Sequence, residues 1–350
     1  MNLMSRAIIK DTVSHIEGRP YTMFMYTRND FTDQEWQEYI DFDKKMYLSI
    51  HKKDNGTSYE TYKKLLVDIE NEYDSKRWLV VDEDGTLVGR GFMWHLNETS
   101  DLYKENKETV NIYLDVDCDH RRMTIGRSLY KLMVDYAKAL GKNMLQSSFS
   151  VEEGKCFADC NDFKIESERF LQELSVKDID LDQLKTWAGG RRKILIVQDI
   201  PEDILEEYCQ LYSKCGAMAP DYEGDFTASE QLTPKGLRLR EAEFKERGIL
   251  QYTAIAVEED GRLSGMTELD YGEGNPKEVD QGLTGVLPSY RQQGIGRQLK
   301  SALLLHILRV NPQAETVHTA NNHRNHGMLK INEALGFKKT LPHYLVTKRI

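Results

Sequence analysis

The stretch TGVLPSYRQQGIGRQLKSAL, residues 284–303, runs from an alternating apolar segment through a basic, glycine-bearing turn into a helical pattern. Behind the turn, Leu299, Ala302, Leu303 and His306 recur at helical spacing and give the helix one face to lay on a sheet, with Lys300 turned elsewhere. A helix start exposes N–H groups that lack partners inside the helix and carries the positive end of its dipole. Gly294 and Gly296 leave that backbone open to close approach, and Arg291 and Arg297 add positive charge. Such a turn suits a phosphate. Glycine turns before helices are common, however, so the neighbouring segments must decide.

Upstream, DQGLTGVLP (280–288) reads as a strand whose interior Gly282 and Gly285 signal a bulge or a close backbone approach by a ligand. Downstream, TANNHRNHGMLKINEALGFKK (319–339) puts Asn321 and Asn325 four apart on what reads as a helix, with both amides on one face. The pattern has an earlier copy. LDVDCDHRRMTIGRSLYKLM (114–133) repeats the strand, basic turn and helix. LVVDEDGTLVGRGFMW (79–94) and AIAVEEDGRLSGMTEL (254–269) share an Asp-Gly hairpin, and residues 22–44 and 193–214 share a strand followed by a helix. The offset is 176 residues for the hairpin glycines Gly85 and Gly261, and 170 for the turn glycines Gly126 and Gly296. Near-constant offsets mean a duplicated domain. The Gly-Gly pair in WAGGRRK (187–193) marks the expected boundary, giving domains 1–190 and 191–350.

Composition narrows the class. The 350 residues carry a net charge of −10, which disfavours nucleic-acid phosphate, and no DNA-binding motif or basic stripe appears. No apolar run reaches membrane-spanning length and no secretory signal is evident, so a cytoplasmic protein is expected. Five cysteines without a CxxC pair read as reduced thiols rather than disulfides or metal ligands. Neither Cys156 and Cys160 nor His318, His323 and His326 has convincing metal-ligand spacing.

VLPSYRQQGIGRQLK together with TANNHRNHGMLKINEALGF resembles the GCN5-related N-acetyltransferase (GNAT) superfamily, strongly over 190–350 and weakly over 20–180. The resemblance implies an α/β (α+β) fold of two GNAT-like domains, each a mixed, mainly antiparallel sheet flanked by helices. It implies acetyl-CoA as co-substrate, with its pyrophosphate on the loop Arg291, Gln292, Gln293, Gly294, Ile295, Gly296 and Arg297. Val286 and Leu287 would supply main-chain groups to the pantetheine arm, one N–H polarising the thioester carbonyl. Asn321 and Asn325 would face the same arm. An ammonium has no lone pair to attack with, so a base is needed; the family's carboxylate register, eleven residues before Arg291, falls on Asp280, with Glu268 on the preceding strand as second candidate. Glu268 and Asp270 share a face by the two-residue period of a strand.

Two departures from the family pattern stand out. Asn332 occupies the place of the tyrosine that usually protonates the leaving thiolate, leaving Tyr290, Tyr344 or water for that task. In the first copy, Thr124 replaces the first turn glycine, the base register falls on Val110, and no second Asn-bearing helix is seen, although Arg121, Arg122 and Gly126 remain. The expected function is acetyl transfer to a primary amine of a small, cationic acceptor in a ternary complex. The alternatives are a non-enzymatic acyl-CoA-binding or sensor protein, or a protein N-acetyltransferase. The loop 215–236 is the expected acceptor-selecting segment, and the oligomeric state is open.

Overall fold

The computed structural model describes residues 14–15, 21–26, 31–51, 58–60, 62–63, 73–100, 103–219 and 232–350. The chain forms two compact units, Met1–Ile165 with Leu345–Ile350, and Glu166–Tyr344. In the first lie β1 (Ser14–His15), β2 (Thr22–Tyr26), α1 (Asp33–His51), β3 (Tyr73–Val81), β4 (Leu87–Leu96), α2 (Tyr103–Asn106), β5 (Thr109–Val116), α3 (Ile125–Ala139), β6 (Met144–Phe149) and α4 (Glu152–Cys160). Strands β1 to β5 pair antiparallel in sequence order, and β6 joins β5 in parallel once α3 has crossed over.

The second unit contains most of β7 (Lys164–Ser175), then α5 (Leu181–Ala188), β8 (Lys193–Val197), α6 (Leu205–Ala217), α7 (Pro234–Glu246), β9 (Ile249–Val257) and β10 (Leu263–Gly272). Next come β11 (Asn275–Val286), α8 (Ile295–Val310), β12 (Thr316–Asn322), α9 (His326–Leu335) and the first part of β13 (Lys338–Arg349). Its strands follow the order β7-β12-β11-β10-β9-β8, antiparallel except where β12 meets β11. Each unit is thus a mixed, mainly antiparallel sheet with flanking helices, as expected.

The division falls after Ile165, not at 190, because β7 pairs with β12 from Thr316↔Ser175 to Asn322↔Arg169. The Gly189–Gly190 turn is internal to the second unit. Gln298 of α8 donates to the carbonyls of Ala188 (3.3 Å) and Arg192 (2.8 Å), tying that turn down.

Both Asp-Gly hairpins form, with φ of 81° at Gly85 and 87° at Gly261. In the second unit the two-residue period of the strands builds two cores. Ala254, Ala256, Leu269, Val279 and Val317 face α8, whose Leu299, Leu303, Leu304 and Ile307 are buried against them. Ile255, Leu263 and Met266 face α6 and α7 through Tyr208, Cys209, Leu211 and Leu237. Each buried leucine, isoleucine, valine or methionine among them contributes roughly 1.5–3 kcal/mol by leaving water, so both faces of β9 to β11 are held firmly. Thr233 caps α7 by accepting the Gly236 N–H (3.1 Å), with Pro234 in the first helical turn.

Candidate active site

β11 and β12 run together only briefly. Their parallel pairing covers Glu278↔Thr316, Val279↔Val317 and Asp280↔His318, after which β11 continues to Val286 and β12 to Asn322 without pairing each other. The result is a fork whose vertex is Asp280 and whose open end leads to the glycine turn.

The backbone inside the fork is oriented by β10. Leu287 donates its N–H to the Ser264 carbonyl at 3.0 Å, which makes Gly265–Val286 a non-hydrogen-bonded pair of the antiparallel ladder. Val286 therefore turns its N–H and carbonyl away from β10, and the carbonyl accepts Arg291 Nε at 3.0 Å. Two residues back, Thr284 has the same orientation. Of the pair expected to serve a ligand, Val286 keeps that geometry and Leu287 does not, since its N–H is already used. Thr284, which sequence counting passed over, presents its backbone groups on the same side as Val286.

The turn itself has the geometry of an anion cradle. Gln292 (φ 61°) and Gly294 (φ 81°) are left-handed, and Gly294 caps α8 without any side-chain bond. The N–H groups of Ile295, Gly296 and Arg297 start a helix and so have no acceptor four residues back. Arg291 braces the turn through Val286. Gln293 donates to Ser289 O at 3.4 Å and accepts from Arg192, while Arg297 lies 4.7 Å over the Trp187 ring.

Asn321 and Asn325 are not on one helix. Asn321 sits on β12, buried, with its amide on Thr319 Oγ1 at 3.4 Å; Asn325 caps α9 by accepting the Met328 N–H at 3.3 Å. A turn between them breaks the helical spacing. Of the two readings of the interior glycines, the bulge forms, and the close approach is made by a helix of the protein itself. A bulge separates Thr267↔Thr284 from Leu269↔Gln281, and Gly285 makes its close approach to Cys215 of α6, whose Cβ lies 2.3 Å from where a side chain would start.

On the α6–α7 side of the fork, carboxylates gather at the vertex. Asp270 and Asp280 are cross-strand partners, and Asp280 in turn lies beside His318. Burial, then the charges of Asp280 and Glu268, raise Asp270 to about 7, with Arg240 opposing. Burial also raises Asp280, with His318 opposing and Glu278 reinforcing it. Burial would lower His318, but Glu278, Asp280 and Glu173 outweigh it and leave the ring more basic than usual. Glu268 is buried and engaged, because one oxygen accepts both Tyr208 Oη (3.1 Å) and Arg240 (3.0 Å). Asp270, which shares its face, is better poised to take a proton near neutral pH.

That poise has a cost in stability. Asp270 titrates near 3.8 unfolded and about 7 folded, so the folded protein binds more protons between those values and loses stability as pH rises through them. Asp270→Asn should remove this loss. Between pH 5 and pH 8 the unaltered protein should weaken relative to the variant by on the order of 2 kcal/mol, read from urea midpoints. Parallel pH profiles would refute the shift.

Several expected residues lie elsewhere. Lys300 is not turned to the outside of α8; it is 1% exposed and donates to Asn332 Oδ1 at 2.8 Å. The centre of the 215–236 loop, residues 220–231, lies outside the described residues. The one candidate metal group among the described residues, Asp117, Cys118 and Asp119, already spends Asp117 on Lys45.

The first unit repeats the backbone but not the chemistry. Its fork ends at Asn111↔Gln146, so Asn111, and not Val110, stands where Asp280 does; β11 gains one residue at its bulge and β5 does not. Val110 is simply core. Arg90, paired with Asp43 and with Asp115 at 2.9 Å, crosses the face that carries the acids in the second unit. Arg122 (φ 63°) and Thr124 (φ 68°) copy the left-handed pair of the second turn. A β-branched residue there is strained by about 1–2 kcal/mol. Thr124→Gly should therefore raise stability by about 0.5–1 kcal/mol in urea unfolding, after the added chain entropy is subtracted. A loss would show that the threonine makes a compensating contact.

A duplicated sheet-and-helix unit with a splayed strand pair opening onto a helix N-terminus defines a class of acyl-group transferases. The chain belongs to the acetyltransferase (GNAT) family, whose model matches residues 34–153 and 211–337, and it is a tandem GNAT protein. Among solved structures, it is similar to a tandem GNAT protein from the clavulanic acid biosynthesis pathway, at 21% identity, TM-score 0.74, covering 94% of this chain and 98% of that one. It is also similar to a GCN5-related N-acetyltransferase from Sphaerobacter thermophilus, at 13% identity and TM-score 0.66, covering 93% and 95%. No curated protein matches it. At these identities the structures establish the fold. No helix among the described residues is long and apolar enough to cross a membrane.

Proposed function

We propose that the second unit binds acetyl-CoA and transfers its acetyl group to a primary amine of a small, cationic acceptor. The observation that carries this reading is the placement of the Asp270–Asp280 pair at the vertex of a fork that ends in an anion cradle. The cradle of residues 292–297 would hold the pyrophosphate, and the inward groups of Thr284 and Val286 would pair with the pantetheine arm and polarise the thioester carbonyl. Asp270 and Asp280 share a face with Glu268, Glu278 and Glu173, which favours a positively charged acceptor. The pair takes a proton from the acceptor ammonium; the freed nitrogen attacks the thioester carbonyl carbon, the C–S bond breaks with its electron pair on sulfur, and the second proton of the nitrogen passes through water to the thiolate, leaving amide and CoA thiol.

The first unit, with Asn111 at its vertex and Arg90 across its acid face, serves as scaffold. Following CoA thiol release with a disulfide reagent tests the whole reading. A panel of spermidine, amino sugars and amino-acid amides should contain a substrate. Tight acetyl-CoA binding with no amine turned over would instead support a non-enzymatic acyl-CoA sensor.

A further inference from the structure

One row of side chains crosses the second sheet at the vertex of the fork, and all but the first can ionise. Gln251, Asp270, Asp280, His318 and Glu173 are successive cross-strand partners on β9, β10, β11, β12 and β7. Side chains directly opposite each other on neighbouring strands point to the same face, with the strands about 4.8 Å apart. The α6–α7 face therefore carries two acids, a histidine and a third acid in line, within about 15 Å.

The histidine is held as a cation by what its ring nitrogens face. Nε2 bonds to Glu278, two residues before Asp280 on β11, and Nδ1 lies 3.6 Å from Glu173 Oε1. A neutral imidazole has a bare lone pair on one nitrogen, which would face a carboxylate in either tautomer. Only the doubly protonated ring suits both partners. Burial opposes that charge, and Glu278, Asp280 and Glu173 outweigh it.

The two aspartates consequently stand in unequal settings. Asp280 is the more exposed of the two and has the imidazolium as its neighbour on β12. Packed protein around it still raises its carboxyl; His318 opposes that rise and Glu278 adds to it. Asp270 is half-buried, and the like charges of Asp280 and Glu268 act on it, with Arg240 of α7 opposing them. The first unit shows that the sheet does not need these charges in order to fold. In the same cross-strand register it carries Trp94, Asn111 and Gln146 where the second unit has Asp270, Asp280 and His318. Partly buried ions cost more to hold than amides do. The three ionisable groups are present together in one unit and replaced together in the other, as the parts of a single device would be.

We propose that His318 is a positioning residue that divides the work of the acid pair: its imidazolium holds Asp280 as a standing carboxylate that anchors the acceptor ammonium, and leaves the movable proton to Asp270. The proposal rests on the amine-acetylation reading above and assigns the roles within that site. In the reacting complex one N–H bond of the ammonium breaks, its proton joins a carboxylate oxygen of Asp270, and the electron pair stays on nitrogen for the attack. Asp280 keeps its charge throughout and His318 keeps both its protons. Asp270 returns its proton to water after the product leaves. Two carboxyls whose surroundings push their proton affinities apart can in this way serve as anchor and base side by side.

The test is a pH titration of the full-length protein alone, followed by nuclear magnetic resonance. Aspartate is labelled with carbon-13 at its side-chain carboxyl and histidine with nitrogen-15, and the Asp270 and Asp280 signals are identified by their loss in Asp270→Asn and Asp280→Asn. In the unaltered chain Asp280 should lose its proton at least about one unit below Asp270, and both His318 nitrogens should be protonated at about pH 7. His318→Gln should raise the Asp280 step by about one unit, whereas His318→Lys, which keeps a positive charge, should leave it low. Coincident or reversed steps in the unaltered chain overturn the proposal, as does a His318 ring with a bare nitrogen at that pH, and neither result needs a variant that folds. So does an Asp280 step that His318→Gln leaves in place or that His318→Lys raises as far. Neither acetyl-CoA nor amine is present. Ordered steps with no substrate in the amine panel would therefore end the acetylation reading and the roles assigned within it, while a substrate together with coincident steps overturns this proposal alone.

Discussion

Asp270→Asn combined with Asp280→Asn is expected to lower kcat by about 10²–10⁴-fold for any amine the unaltered enzyme acetylates, with the acetyl-CoA dissociation constant unchanged. The size follows from what a positioned base contributes. The split between kcat and binding follows from geometry, because both carboxylates sit at the vertex and the cradle lies beyond Val286 at the other end of the strand. Single variants should cost less than the pair. With Asp280 gone, Asp270 loses one of the charges that raise it and becomes a weaker base, though still a carboxylate in reach. In the unaltered enzyme, activity should rise with pH through about 7 as Asp270 ionises, and Asp270→Asn should remove or displace that limb. Full activity in the double variant would take proton removal away from this face of the sheet.

Gly294→Asp should weaken acetyl-CoA binding by at least about 100-fold, equivalent to about 2.7 kcal/mol. Three effects add at that position. The residue has φ of 81°, which a side chain rarely adopts. The new carboxylate would stand at the helix N-terminus, where it competes with phosphate for the same N–H groups and repels it. Its Cβ would also begin 3.5 Å from the Arg297 guanidinium, so the aspartate would capture a cation the ligand uses. The matching change in the first unit, Thr124→Asp, should leave acetyl-CoA binding as it was.

Much of this was legible in the residues, and the exceptions share a cause. The duplication, both Asp-Gly hairpins and the glycine turn were readable because they depend on local rules: positive φ at a glycine, alternation in a strand, unsatisfied N–H groups at a helix start. What depends on pairing between segments was not readable. A single extra residue at the β11 bulge shifts the first unit's vertex from Val110 to Asn111. The turn between Asn321 and Asn325 divides a strand from a helix cap where spacing alone suggested one face. The unit boundary followed β7 into the second sheet, although the Gly-Gly pair was the stronger local signal. Lys300 shows the limit most clearly. A lysine on an amphipathic helix reads as solvent-facing, and only the packing of α8 against Asn332 and Phe337 reveals it as core. For Asp270, the shared face with Glu268 was visible beforehand, but its nearness to Asp280 comes from register.

The most direct test of the central claim is a calorimetric titration of the full-length chain with acetyl-CoA, repeated on Gly294→Asp. The account predicts one site per chain, lost in the variant. No binding, or binding that the substitution leaves untouched, would mean that the turn at 291–297 is only a connection and that the fork is not the acetyl-CoA site.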